Sequence, residues 1–392
     1  MPGRIFKRGD SYVLKIYAGR EGGKKKDKWL TFGSRAEAEA AQRELASHTL
    51  AHSAGVGLYG NPRERLCTYL VDWLKRQKPG LAPRTYERYE TVIGQVRQDV
   101  IGAIPLGRLS PRVLESYYAR RLDVGLSSST VLYSHAVIRK ALQDAVRQDL
   151  ILQNPAALVT RPKRTRTRPE VWTEAQTLLF LSEAKSSSQY YPVYLFAVGT
   201  GARIGEILGL RWKDLDPREG MAYITQTLQR LRGGGYVLKA PKTERSGRAV
   251  ALPPEVVDEL HALKARQDEE RARRGLCEAG ERCRARHCRR WHDLGLVFVS
   301  EEGKPIHDGN LRRRDVKRLC EKLGLPWRRA FHTMRHAHGS YLLQRGVSIK
   351  VVQERLGHSS AAFTLSTYTH VLSGMQDQAA RAVSAMLRQT RQ

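Results

Sequence analysis

The run Arg161-Pro162-Lys163-Arg164-Thr165-Arg166-Thr167-Arg168-Pro169 constrains this chain more than any other stretch of it. It is basic, bounded by prolines and without apolar periodicity, so it offers no face that a helix or strand could bury. It reads as a linker, and each side of it must close a core of its own. From Arg65 to Ala157 the apolar positions recur at intervals of three and four, as in Leu70 and Leu74 and then Tyr86, Tyr89 and Ile93. Pro79, Pro83, Pro105 and Pro111 punctuate this stretch and no strand-like run interrupts it, which predicts four or five short helices. Beyond the linker the pattern is mainly helical with a β insert. Met221 to Thr227, Gly235 to Lys239 and Arg248 to Leu252 are short runs suited to a three-stranded antiparallel sheet.

The N-terminal fifty residues carry a different signal. Tyr12, Leu14 and Ile16 alternate with Val13, Lys15 and Tyr17 after an Arg8-Gly9-Asp10 turn, and a Gly/Lys-rich turn leads to a second run, Trp29 to Phe32. Ser34 stands as an N-cap before Arg35-Ala36-Glu37-Ala38. The fold class expected is multidomain α+β: a small sheet-plus-helix module over 1–52, an all-helical module over 62–160, and a mainly helical module over 170–392 with a small antiparallel sheet.

Charge narrows the partners. Lys and Arg number 68 against 39 acidic residues, a formal net charge of +29 on 392 residues. Such self-repulsion is offset by a polyanion, so nucleic acid is the first partner to test and an anionic membrane surface the second. No segment approaches the roughly 18 consecutive apolar residues of a membrane-spanning helix, and Met1 to Lys7 contains no apolar stretch of signal-peptide length. A cytoplasmic protein is expected. The five cysteines are an odd count with Cys67 and Cys320 isolated, which argues against a disulfide framework. Lys7, Arg8, Lys24, Lys25 and Lys26 surround the N-terminal strands, Arg84 opens a helical run, and Lys163, Arg164 and Arg166 lie in the linker. These are candidate DNA contacts; for the N-terminal set a solvated basic hairpin is the alternative.

The C-terminal module concentrates residues with chemical capacity. His332, Arg335 and His336 fall at i, i+3 and i+4, so one helical face presents all three. Arg203 sits at an expected helix start in Thr200-Gly-Ala-Arg-Ile-Gly-Glu206, where backbone N–H groups favour an anion. Lys242 is on a turn between two β runs, His358 follows Gly357 at an element boundary, and Tyr368 and His370 stand in a short polar stretch. Two arginines, a lysine, two histidines and a tyrosine, without a carboxylate pair for metal, suit phosphoryl transfer to a tyrosine hydroxyl. Arginine forks stabilise charge on non-bridging phosphate oxygens, and a lysine or histidine can protonate a departing oxygen.

In this order Arg203, Lys242, His332-x-x-Arg335, Leu356-Gly357-His358 and Tyr368 resemble the active-site pattern of tyrosine recombinases of the phage-integrase kind. The wording Thr-Gly-Ala-Arg203-Ile-Gly-Glu-Ile-Leu-Gly-Leu-Arg-Trp and Tyr368-Thr-His-Val resembles it too. The first fifty residues resemble the family's arm-binding domain, and the helical segment with Thr85-Tyr-Glu-Arg-Tyr89 its core-binding domain. The turn near Asp99-Val-Ile-Gly-Ala departs from the family by lacking a leading histidine.

The resemblance implies a site-specific DNA recombinase that integrates and excises a phage or other mobile element. It implies that Tyr368 attacks the scissile phosphate to give a 3′-phosphotyrosyl link and a free 5′ hydroxyl. Arg203 and Arg335 would clamp the non-bridging oxygens, with His358 beside them; Lys242 would be the general acid, aided by His332; Glu206 and His336 would brace the cluster. It also implies double-stranded attachment sites, a homo-tetramer on DNA, a DNA-bending or excision accessory protein, and no cofactor for catalysis. A type IB topoisomerase-like enzyme and a non-catalytic DNA-binding protein are the alternatives.

One motif falls outside that pattern. Cys277, Cys283, His287, Cys288 and His292 gather five possible metal ligands within an insertion at about 270–293. Tetrahedral zinc takes four such ligands; an exposed Arg-rich insertion that binds nothing is the alternative reading.

Overall fold

The computed structural model describes residues 4–9, 11–21, 24–40, 42, 64–163, 171–232, 234–239, 247–278, 288–372, and 380, 381, 383, 384, 387 and 388; for 16–21, 24–28 and 369–372 it describes the backbone alone. The chain divides into two compact units, Met1–Thr167 and Arg168–Gln392.

The first unit opens with an antiparallel sheet in the order β1 (Arg4–Arg8), β2 (Ser11–Glu21), β3 (Lys24–Phe32). The strand β1 was not expected, because Arg-Ile-Phe-Lys-Arg has only two apolar residues; it is fixed by pairing from Arg4 opposite Lys15 to Arg8 opposite Ser11. Val13 and Leu14 are buried, while Phe6 meets Trp29 edge to face at 5.5 Å. Ser34 caps the following helical turn as expected, accepting from the Glu37 N–H at 3.2 Å.

Four helices follow: α1 (Leu66–Gln77), α2 (Pro83–Arg97), α3 (Pro111–Asp123) and α4 (Ser128–Arg147). Pro83 starts α2, and Ser110 and Ser127 cap α3 and α4. Their apolar faces close on Trp73, Tyr69, Tyr117, Ile138 and Leu142. Tyr69 Oη donates to Ala141 O and Trp73 Nε1 to Asp144 Oδ2, both at 2.7 Å, whereas Tyr117 Oη has no partner among the described residues.

The second unit begins with α5 (Glu174–Ser187), α6 (Tyr191–Thr200) and α7 (Ile204–Leu208). The β insert differs from expectation: it forms two sheets. β4 (Leu215–Asp216), β5 (Met221–Ile224) and β8 (Arg248–Ala251) make one, and β6 (Thr227–Arg230) pairs only with β7 (Tyr236–Lys239). The run Met221 to Thr227 breaks at Gln226, whose Nε2 donates to Gly209 O at 2.6 Å. The hairpin is drawn onto α7, where a Cβ at Gly205 would collide with Thr227 Oγ1. Only glycine permits that approach.

The long helix α8 (Pro254–Arg274) leads through the Cys/His insertion to Leu296–Ser300. This last run, expected as a strand, makes only isolated bridges, Leu296 with Arg211 and Val299 with Pro305. It still supplies core, since Leu296, Val297 and Phe298 are buried. A helical stretch over 308–322 with a π turn at Leu311–Val316 precedes α9 (Ala330–Gln344), α10 (Ile349–Leu356) and α11 (Ala361–Leu372). The main core joins Phe180, Tyr194, Phe196, Phe298, Phe331 and Met334. A smaller cluster of Leu343, Val352, Leu356 and Tyr368 lies between the last three helices. Among the described residues no helix is long and apolar enough to cross a membrane.

Candidate active site

The sequence around Arg203 folds as a helix start because Glu206 closes it. The Glu206 carboxylate accepts from the Arg203 backbone N–H at 2.9 Å and from its Nη1 at 2.8 Å. The N–H that was expected to greet an anion is thus taken by the protein itself. The other end of the Arg203 guanidinium reaches Gly357 O at 3.1 Å, which ties α7 to the end of α10. Gly357 closes α10 at φ +64°, a left-handed conformation that glycine adopts freely.

Arg335 stands on the second turn of α9 and is 4% exposed. Its Nη1 donates to Gly201 O at 2.7 Å and its Nη2 to Leu356 O at 2.5 Å, so its fork bridges two otherwise orphaned helix-end carbonyls. Burial, and then the like charge of Arg203, pull this guanidinium down to about 9. A third arginine, Arg248 on β8, donates from Nη2 to Glu206 Oε2 at 2.8 Å and from Nε to Arg355 O at 2.8 Å. Two guanidiniums, of Arg203 and Arg248, therefore share one carboxylate. Burial alone would raise Glu206, but the hydrogen bond and charge of Arg248 and the charge of Arg203 outweigh it and hold the carboxyl at about 2.

That pair has a consequence for stability. A carboxylate shifted from 4.5 to about 2 contributes fully above pH 4.5 and loses its contribution as pH falls through 2, a term of about 3 kcal/mol. Glu206→Gln leaves Arg248, whose side chain is 6% exposed, without a counter-charge. We expect a loss of about 3 kcal/mol at pH 7 and a shallower fall in stability between pH 6 and pH 3 than wild type. Urea midpoints at both pH values check this; parallel falls in the two proteins would assign the acid sensitivity elsewhere.

The remaining candidates cluster on α9 to α11. His332 and His336 meet edge to face with ring centroids 4.6 Å apart. His336 lies 5.7 Å and His358 6.5 Å from the Tyr368 ring. His358 Nδ1 is 2.9 Å from Thr364 Oγ1. Burial, followed by the charges of Arg335 and Arg203, pushes His358 down to about 3, and burial with Arg335 lowers His332. Both imidazoles are thus neutral at pH 7 and serve as hydrogen-bonding groups rather than added cations.

Tyr368 kinks α11, with φ −111° and ψ 15°. Its ring is buried, and its hydroxyl has no hydrogen-bond partner among the described residues. The hydroxyl packs against Gly339 so closely that a Cβ there would collide with it. Burial pushes it up to about 12, opposed by Arg335.

Arg203, His332 and Arg335 line one open cavity of about 430 Å³ together with Arg312, Arg328 and Arg329. A cavity so lined, with no acid in its wall, is suited to a phosphate. Tyr368 is beside this cavity's walls rather than in its lining.

The structure brings together Arg203, Glu206, His332, Arg335, His336, His358 and Tyr368. Lys242 lies outside the described residues, as do Arg164 and Arg166, and Lys24 to Lys26 are described by backbone alone. Lys7, Arg8, Arg84 and Lys163 are exposed on the first unit. Of the five possible metal ligands, Cys277, Cys288 and His292 fall together; Cys283 and His287 lie outside the described residues.

Sequence reasoning missed Arg248, Arg312, Arg328 and Arg329. Arg328-Arg329 directly before the His332 helix was a readable signal; Arg248 looked like an ordinary strand start. His338 is a buried packing residue. It takes a hydrogen bond from Arg355 Nε at Nε2 (3.1 Å), so its Nδ1 carries the proton shared with Val198 O at 2.7 Å.

Comparison with known proteins agrees with this geometry. A family model described as the phage integrase family matches residues 171–374. A tyrosine recombinase XerC-like protein of Caldanaerobacter subterraneus subsp. tengcongensis is 26% identical over 305 residues, covering 74% of this chain and 75% of its own. The ICEBs1 integrase of Bacillus subtilis is 25% identical over 306 residues, covering 78% of each. Among solved structures, the Tn1549 transposon integrase in complex with a circular intermediate DNA superposes with a TM-score of 0.65 at 22% identity. That match covers 78% of this chain and 94% of the other. A lambda integrase dimer bound to a core site gives 0.56 at 18% identity, over 93% of this chain and 94% of the other, and so shares the fold.

Proposed function

The chain belongs to the phage integrase family, and from that premise we propose how its residues divide the work of breaking and rejoining DNA. It is a tyrosine recombinase, a site-specific integrase of phage or other mobile elements. The family's chemistry needs no catalytic cofactor. The observation that carries the residue assignment is the cationic cavity of Arg203, His332 and Arg335 with Tyr368 beside it.

In our reading the scissile phosphate enters that cavity, and Arg203 and Arg335 donate to its two non-bridging oxygens. Each keeps spare N–H groups for this, because a guanidinium has five and Arg335 spends two on carbonyls. The Tyr368 hydroxyl loses its proton and attacks phosphorus, the bond to the 5′ oxygen breaks, and that oxygen gains a proton. The 3′-phosphotyrosyl link conserves the bond energy, so the reverse attack by a 5′ hydroxyl reseals the strand. We assign the proton on the leaving oxygen to Lys242, with His332 assisting and His358 hydrogen-bonding beside the phosphate. Glu206 and His336 position the arginines and the tyrosine.

We further propose that 1–52, 62–160 and 170–392 act as arm-binding, core-binding and catalytic domains. The partners proposed are double-stranded attachment sites and three further copies of this chain. A lambda integrase tetramer has been solved bound to a Holliday junction, which supports that arrangement. A DNA-bending or excision accessory protein fits the same scheme, and DNA as substrate places the enzyme in the cytoplasm of its host cell.

The test is trapping. A nicked suicide duplex carrying candidate sites should give an adduct that survives a denaturing gel. DNA binding without adduct across several sites would favour a non-catalytic protein. The arm assignment makes its own prediction. Lys7→Ala and Arg8→Ala should each weaken binding uniformly across sequences and reduce the slope of log K against log salt by about one. Titrations at several salt concentrations check it; unchanged slopes would remove the N-terminal sheet from the DNA contacts.

A further inference from the structure

We propose that Cys277, Cys288 and His292 form a structural zinc site that pins the insertion after α8 to the catalytic unit. One ligand atom from each residue lies within 4.8 Å of the other two. The Cys277 and Cys288 sulfurs are 3.7 Å apart. Two thiolates on a tetrahedral zinc, each with a Zn–S bond of about 2.3 Å, stand about 3.8 Å apart. A disulfide would bring them to about 2.05 Å. The spacing is that of two corners of a zinc tetrahedron.

The backbone holds these corners in place independently of any ion. Cys277 N–H donates to Trp291 O at 2.8 Å, and Trp291 N–H returns to Gly275 O at 2.9 Å. His292 N–H donates to Glu302 O at 2.8 Å, and Lys304 Nζ to Cys288 O at 3.2 Å. His292 is 4% exposed and follows the buried Trp291. A buried imidazole facing two thiols is an unusual way to fill apolar space and the usual way to hold a soft divalent ion. Two thiolates and one neutral imidazole also cancel the ion's charge, so the site adds none to a chain already at +29.

Three protein ligands leave one tetrahedral position. Cys283 and His287, which lie between Cys277 and Cys288 in sequence, have the right chemistry, and mutagenesis decides between them and water. None of Cys277, Cys288 and His292 is in the lining of the cationic cavity, so the ion has no part in strand transfer. Its effect is to close the chain between Cys277 and Cys288, 11 positions apart. That span carries Arg282, Arg284 and Arg286.

The test is metal analysis of the full-length protein, purified without chelator. About one zinc per chain is expected, falling to background in Cys277→Ser and in His292→Ala but kept in Cys67→Ser. Because the variants can misfold, wild type stripped with chelator is also titrated with cobalt(II) under reducing conditions. Visible d–d bands of a tetrahedral thiolate complex should rise to a stoichiometric end point. Wild type without zinc or cobalt bands would overturn the proposal, as would variants that keep their zinc. Denatured, unreduced, chelated protein should show all five thiols; two missing would make the pair a disulfide and likewise overturn it.

Discussion

Tyr368→Phe is expected to abolish the covalent protein–DNA adduct and, at the same time, to make the folded enzyme more stable. The first effect follows from the proposed assignment, because the variant lacks the hydroxyl that would attack phosphorus. The second follows from where that oxygen sits. It is buried without a hydrogen-bond partner among the described residues and packs against Gly339. A buried unsatisfied hydroxyl costs about 1–3 kcal/mol, and phenylalanine removes that cost while keeping the ring among Leu343, Val352 and Leu356. A gain of about 1 kcal/mol in unfolding free energy is expected. DNA affinity should be unchanged, since the phosphate is held by arginines. Chemical denaturation and the suicide-substrate gel read the two effects from one preparation. An adduct in the variant would move the nucleophile elsewhere; a loss of stability would show that the hydroxyl has a partner.

Arg335→Lys is the second large effect, and it separates charge from shape. The charge is kept, yet a single ammonium on a flexible stem cannot span Gly201 O and Leu356 O while still facing the cavity. Losing one preorganised donor to a phosphorane-like transition state costs about 10²–10³ in rate. Leaving a buried carbonyl unpaired costs about 1–3 kcal/mol of stability. Both losses are expected together, in single-turnover cleavage and in the urea midpoint. A rate fall without a stability change would mean that the two carbonyls are not structural partners of this side chain.

The sequence was most legible where one side chain announces one chemistry. Arg203, His332, Arg335, His358 and Tyr368 could be picked out because phosphoryl transfer to a tyrosine suits such groups and their local wording is distinctive, and the structure brings them together. The four helices of the first unit were equally plain, since each alternates apolar and polar residues at helical spacing and three begin at a proline or a capping serine. What could not be read depends on contacts between segments far apart in the chain. Arg248 earns its place only because Glu206 and Arg355 O, 42 and 107 positions away, converge on it. The split of the β insert was hidden for the same reason. Gln226 looks like any polar strand residue until its amide is seen to reach Gly209 O. β1 had too few apolar residues to be noticed without its partner strand. Burial is the other thing periodicity understated: His332, expected on an open basic face, has its pKa lowered by the packing around it.

The position of Tyr368 has a consequence for how the reaction cycle is timed. Burying the ring is worth about 2 kcal/mol, while its unpartnered hydroxyl forfeits about 1–3 kcal/mol. The two nearly cancel, so the seat under Gly339 acts as a shallow detent rather than a lock. Small contributions from an arriving duplex are enough to tip the side chain out. Because the seat is worth so little either way, on the proposed assignment the tyrosine can leave it and regain it at little cost, and the resting enzyme stays poised without holding its nucleophile fast.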